Sequence, residues 1–482
     1  RDWSSDVCSS DLLKKILPHI IAVAVFALIT FIYFAPLFQG KVIQQHDITM
    51  WEGMSKEIQD FRAKYHTEPL WTSSMFCGMP AYQVSVLYPA NLLSYINNIL
   101  SLWMVAPAAY IFIAMVAFYV LLLVIRLDWR LSMAGAFAYA FVSYNFVAIM
   151  AGHNSKVHAI ALMPLVIAGI LLVFQRKYIL GLALTAMSLG LEIYANHLQI
   201  TYYLMLTILC LVIAEGIAII LEKDFKHLIM SGAVLLVAVV LALLPNITSL
   251  LATEEYGQYS TRGPSELTEK KISTGLDKDY ATAWSYGKWE TFTLLVPNAV
   301  GSSSSTKLDE KSELAKMIGN NPQAQSILEN VPTYWGPQSS TQGPVYAGAI
   351  VFFLFVVGCF LLKGKTKWWL IAATVLSITL SWGKNFQWLT DLFFDHFPAY
   401  NKFRAVSMLL IIATFTMPLM SFITLQKLFD PSVSSKEKTK ALLYGLYITL
   451  GLFILVIIGG SSQRSEEHTS ELQSRFGISY AV

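Results

Sequence analysis

The sequence predicts an all-α integral membrane protein, a polytopic bundle of about eleven transmembrane helices. It adds an interfacial helix in the first outer loop and one long extracytoplasmic loop. Three observations carry this expectation. Hydrophobic residues make up 55% of the chain and charged residues 13%, where a soluble domain holds about twice that charge. The mean hydropathy is +0.54. Apolar runs of roughly 18 residues or more recur along the chain, the length that crosses a hydrocarbon core.

The runs place spans at 16–38, 104–125, 131–151, 158–175, 178–195, 199–222, 227–248, 344–362, 367–382, 405–426 and 439–460. Basic residues in the short loops orient them. With the N-terminus inside, the inner connections hold Lys14 and Lys15, Arg126 and Arg130, Arg176 and Lys177, Lys223 and Lys226, and Lys363, Lys365 and Lys367. The last inner loop holds Lys427, Lys436, Lys438 and Lys440, whereas the short outer turns GHNSKVH and ANHLQ hold only Lys156. The net charge of +3 is mostly this bias and not a nucleic-acid footprint. A cysteine-accessibility or reporter-fusion map of the protein should place the 249–343 loop outside and Lys436 inside. Finding both on one side would overturn the span count.

The organisation expected from this pattern is an N-terminal transmembrane bundle, 13–248, with its first outer loop at 39–103. An extracytoplasmic loop follows at 249–343, then further transmembrane helices at 344–463. A loop as long as 249–343 is expected to have structure or a task, with GSSSST at 301–306 as a mobile stretch inside it. The polar ends 1–12 and 464–482 resemble translations of a sequencing adapter, so the natural chain is expected to be cut at both ends. Four cysteines, one of them in the 1–12 stretch and two within spans, offer no disulfide framework or cysteine metal site.

The first outer loop, GKVIQQHDITMWEGM, carries the most chemistry. Beyond Asp47 the apolar residues Trp51, Met54, Ile58, Phe61 and Tyr65 form one helical stripe. Glu52, Lys56, Glu57, Asp60, Arg62 and Lys64 take the opposite face. Such a segment is too short and polar to span and should lie in the membrane interface. From spacing alone Asp47 reads as a helix cap or a solvated acid. His46, His66, His153, His158, His197 and His396 fall at the same outer level, as do Asn154, Lys156, Asn196 and Gln199. Singly, each histidine is a plain interfacial hydrogen-bonder; together they point to one polar cavity. Arg404 in FPAYNKFRAVS is either a bidentate phosphate ligand or an anchor to lipid headgroups. Glu254 and Glu255 are alternative acids. No phosphate loop, nucleotide fingerprint or HExxH metal motif occurs.

These residues carry a resemblance. QQHDITMWEG, MFCGMPAYQ, AGHNSKVHAIALMPLVIAGI, YANHLQITYY, YSTRGPSELT, ETFTLLVPNAVG and PAYNKFRAVSM resemble the YfhO family of bacterial multi-span membrane proteins, over essentially all of 13–463. That family in turn resembles the GT-C class of integral-membrane glycosyltransferases. The resemblance implies transfer of a sugar from a polyprenyl-phosphate donor to a cell-envelope acceptor, on the outer face of the bacterial cytoplasmic membrane. It implies Asp47 as the catalytic acid or base. His46, His153, Asn154, Lys156, His197, Gln199 and Arg404 are then substrate-binding, with membrane lipids and the glycan or lipid acceptor as partners. Many members of the class carry two acids close together. Here His46–Asp47 has no second acid until Glu52, which leaves a divalent metal open. A lipid or polysaccharide transporter, or a non-catalytic scaffold, is the rival reading.

Overall fold

The computed structural model describes residues 6–263, 275–309, 312–318 and 328–476. The described chain is almost wholly helical, with one two-stranded ribbon, β1 (Trp71–Thr72) against β2 (Met79–Pro80). It divides into two compact units, one of 1–141, 148–208 and 215–270, the other of 142–147, 209–214 and 271–482. Residues 264–268 of the YSTRGPSELT motif lie outside the described residues.

In chain order the longer helices begin with α1 (Asp6–Tyr33), α2 (His46–Tyr65), α3 (Leu93–Leu100), α4 (Ala108–Val124), α5 (Trp129–Ala140), α6 (Ser143–Ala151), α7 (Asn154–Phe174) and α8 (Tyr178–Tyr194). Next come α9 (Leu198–Leu221), α10 (Phe225–Leu243) and α11 (Ile247–Gly257). The remainder are α12 (Ala349–Leu361), α13 (Lys365–Ser381), α14 (Gln387–His396), α15 (Leu410–Phe429) and α16 (Ser435–Phe476). Seven helical segments among the described residues are long and apolar enough to cross a membrane. They are Leu13–Tyr33, Trp129–Ala151, Asn154–Phe174, Leu198–Leu221, Phe225–Gly257, Val406–Phe429 and Ser435–Gly459. The expected spans 104–125, 178–195 and 344–362 are shorter apolar helices. The expected span 367–382 is the 17-residue α13, and 131–151 is two helices, α5 and α6, broken at residues 141–142.

In the first unit α7 is the centre, with 89% of its apolar window buried. It meets α8 at small residues. A Cβ on Gly169 would sit 2.4 Å from the Thr185 hydroxyl, and one on Gly181 2.6 Å from Val173. This close approach lets dispersion replace the hydrophobic drive that lipid removes. Phe26 of α1 packs edge-on to Tyr119 and Phe137, with centroids 5.6 and 5.4 Å away. In the second unit α15 is the buried element, and hydroxyls join its neighbours to it. Ser421 donates to Val351 O at 2.7 Å, and Thr374 and Thr416 pair at 2.7 Å.

The hairpin turns explain where the helices stop. Arg126, Arg176 and Lys223 each adopt the left-handed conformation, with φ of 64°, 64° and 58°. After each, the next amide reaches back across the last turn: Leu127 to Leu122, Lys177 to Leu172 and Asp224 to Ile219, at 3.0, 2.9 and 3.1 Å. This is a Schellman stop with a basic residue where glycine is usual, and the cation favours the negative helix end. Asp128 and Asp224 then cap the following helices by accepting from the amides of Arg130 and His227.

Two local expectations are corrected. The helix of the first outer loop starts at His46, five residues before Trp51, because its start is held by the rest of the unit, as described below. Its apolar stripe buries Ile58 but leaves Trp51, Phe61 and Tyr65 exposed. GSSSST is not a loose segment. Ser302 and Ser304 donate their amides to Thr333 O and Thr341 O, and Thr306 exchanges both backbone bonds with Val331.

The same segment buries Glu290, which is 3% exposed. Its carboxyl accepts from Gln338 Nε2 (2.7 Å), Gly287 N (3.0 Å) and the Tyr334 hydroxyl (3.1 Å). Burial outweighs these donors and pushes the carboxyl up to about 7 from 4.5. The folded state therefore holds this proton more tightly than the unfolded state. The stability it adds is complete below pH 4.5 and lost as pH rises through 7. Hydrogen exchange of 286–294 should accordingly speed up between pH 5 and pH 8, by more than its intrinsic pH dependence. Glu290→Gln should flatten that rise.

Candidate functional site

The first unit brings three helix starts together: those of α2, α7 and α9. Gln45, just before α2, is 6% exposed and pairs reciprocally with Asn154, the first residue of α7. Gln45 Nε2 lies 3.2 Å from Asn154 Oδ1, and Asn154 Nδ2 lies 3.3 Å from Gln45 Oε1. The Gln45 amide also donates to Ile149 O. Between these anchors, Gly152 turns with φ +93° directly under the start of α2. A Cβ there would lie 3.0 Å from Asp47 Cβ and 3.1 Å from Ile48 N. Two amides and a glycine thus fix where Asp47 stands.

Asp47 lies inside the first turn of α2, and Gln45 is the cap residue. The expected cap role therefore falls away, and the carboxylate is directed to side chains. Oδ2 meets His153 Nε2 at 3.0 Å, and Oδ1 meets His46 Nδ1 at 3.2 Å. The other ring nitrogen of His153, Nδ1, lies 2.8 Å from Lys156 Nζ. An ammonium only donates, so Nδ1 accepts and Nε2 carries the hydrogen that faces Asp47. The chain of bonds runs Lys156 → His153 → Asp47, from a lysine 4% exposed to a carboxylate 49% exposed.

His197 caps α9, its Nδ1 accepting from Ile200 N at 3.4 Å. Burial, then the nearby charges of Lys156 and His153, lower it to about 3, so it is a neutral imidazole with its hydrogen on Nε2. Gln199 is buried and donates to the Tyr203 hydroxyl at 2.8 Å.

The six histidines do not share one site. His46 and His153 both meet Asp47, and His197 lies within electrostatic range of His153 and Lys156. His158 is buried against Asn97 at 2.8 Å and stacks on Tyr110. His66 ends α2, roughly 30 Å along the helix from His46, and His396 belongs to the second unit. Glu254 and Glu255 are exposed on α11. Arg404 also belongs to the second unit. There its guanidinium lies over the rings of Tyr280 (5.5 Å) and Trp284 (5.7 Å) and donates to the Tyr280 hydroxyl. Among the described residues no three His, Cys, Asp or Glu side chains gather as a metal-ligand set.

Sequence reading gave two features no role in the site. Gly152 and Gln45 position the site, and the only signal is their adjacency to AGHN and QQHD. Glu192 in α8 is fully buried. The Thr201 hydroxyl bears on it, yet neither carboxyl oxygen meets a donor at hydrogen-bond geometry among the described residues.

The seven long apolar helices define a helical membrane protein. No family model matches the chain, and no curated protein or solved structure matches it either.

Proposed function

We propose that the chain is an integral-membrane glycosyltransferase of GT-C type, related to the YfhO proteins, with about eleven spans and its N-terminus in the bacterial cytoplasm. It moves a sugar from a polyprenyl-phosphate donor to a cell-envelope acceptor on the outer face. The observation that carries this reading is the Lys156–His153–Asp47 chain, which aims a half-exposed carboxylate from a rigid seat. Asp47 takes the proton of an acceptor hydroxyl as that oxygen bonds to the anomeric carbon. The bond from that carbon to the lipid phosphate breaks, and the phosphate leaves with the electron pair. His153 positions Asp47. Lys156 supplies positive charge at the same place, where the starts of α7 and α9 also favour an anion.

Purified protein in liposomes, given a labelled polyprenyl-linked sugar and envelope glycan, tests the reading: label should move to the acceptor. Flipping of the lipid without transfer would instead support a transporter, the second reading, which the buried Glu192 favours because an intramembrane carboxyl often marks a transport path. Binding alone would leave a scaffold. Arg404 is the proposed donor-phosphate ligand. Arg404→Ala should raise the donor KM more than Arg404→Lys, which keeps the charge and loses the fork. A wild-type KM in Arg404→Ala would make it a lipid anchor.

A further inference from the structure

A cavity of about 660 Å³ lies in the first unit, well within the size range of small-ligand sites. One wall is the segment 86–93; the other is the end of α8 with residues 245–249. Both walls are tied to the Asp47 site. The first begins two residues after Val84, which accepts from Trp51 Nε1 of α2 at 2.9 Å. The second ends at Asn196, adjacent to His197.

The lining chemistry selects the ligand. No Asp, Glu, Lys, Arg or His lines the cavity, so a phosphate would find no counter-charge there. Asn91 and Asn246 are engaged in holding the walls. Asn91 donates to Pro245 O at 3.1 Å, and Asn246 to Gly190 O and Ala242 O at 2.9 and 3.1 Å. That leaves Tyr88, Tyr194, Asn196, Thr248 and Ser249 as the other polar residues of the lining, among apolar Val86, Leu93 and Ile193. A hydrocarbon chain would strip water from the polar groups of this lining and return no hydrogen bond for any of them. A pyranose offers a rim of hydroxyls to them and an apolar C–H face to the two tyrosine rings.

We infer that this cavity binds an uncharged glycosyl ring, the acceptor sugar that presents its hydroxyl to Asp47. The inference rests on the glycosyltransferase reading for the word acceptor, and on the cavity alone for the word sugar.

The test is saturation-transfer NMR on the full chain in nanodiscs, with the methyl glycosides of glucose, galactose, mannose and N-acetylglucosamine as probes. At least one should bind saturably to wild type and to Asp47→Asn alike. Tyr194→Ala and, independently, Ser249→Leu should weaken it at least tenfold while thermal unfolding stays cooperative. The inference is overturned if no glycoside binds wild type, if both variants bind as wild type does, or if an alkyl-diazirine lipid labels 86–93 and no glycoside competes. Because binding is read without turnover, the two failures separate. Binding without any transfer sinks the enzyme and keeps the sugar site. Transfer without binding in this cavity does the reverse.

Discussion

Asp47→Asn should abolish measurable sugar transfer while leaving expression, membrane insertion and donor binding as in wild type. Removing a positioned base costs about a hundredfold to ten-thousandfold in rate. The substitution is isosteric and the side chain is half exposed, so little packing is lost. The start of α2 keeps its other anchors, since the Gln45–Asn154 amide pair and the seat on Gly152 do not involve the carboxylate oxygens. An asparagine also retains an oxygen to accept from His153. What disappears is the capacity to take a proton. Glu52→Gln, on the exposed face of the same helix, should transfer like wild type. The measurement is label transfer from a polyprenyl-linked sugar in liposomes, with thermal unfolding run in parallel. Wild-type transfer by Asp47→Asn would move the base elsewhere, with Glu254 or Glu255 next. Inactivity accompanied by lost folding would make Asp47 a structural residue.

Gly152→Ala should be nearly as damaging, and for a geometric reason. A non-glycine residue at φ +93° costs about 1–3 kcal/mol, and the added methyl meets the backbone of Ile48 and the Cβ of Asp47. Backbone cannot rotate aside as a side chain does. Either the 152 turn or the start of α2 moves, and in both cases Asp47 leaves His153. A small misplacement of a catalytic group can cost about a hundredfold. Transfer should therefore fall steeply, with a lowered melting temperature. A variant that melts lower but transfers normally would show that the seat serves folding alone.

The features legible in the sequence are those that repeat. Apolar runs placed helices because lipid and core both demand them over many residues, and seven of those helices are long and apolar enough to span. The helix of the first outer loop was legible in its stripe but not in its start. Gln45 to Met50 show no helical pattern of their own and are drawn into α2 by Asn154 and Gly152, more than a hundred residues away. The gathering of histidines was over-read for the same reason. Position along a span does not fix lateral position, so His66, His158 and His396 lie apart while His46 and His153 meet at Asp47. GSSSST looks loose because serine has no strong conformational preference. Its order comes from 331–341, a partner that composition cannot name. The cavity beside Tyr194 was invisible because 86–93 is a short apolar loop without periodicity.

The basic residues that close three helical hairpins, at Arg126, Arg176 and Lys223, carry a consequence for biogenesis. Arg126, Arg176 and Lys223 each hold a left-handed conformation that costs about 1–2 kcal/mol for a residue with a side chain. Glycine would relieve that cost at all three positions. It would also erase a loop charge of the kind that orients flanking helices during insertion. The three turns thus accept conformational strain in the finished fold in return for a topological signal needed only while the chain is being threaded. Selection on such a turn acts at two moments of the protein's life, and the residue that best serves the mature molecule is not the residue that best serves its assembly.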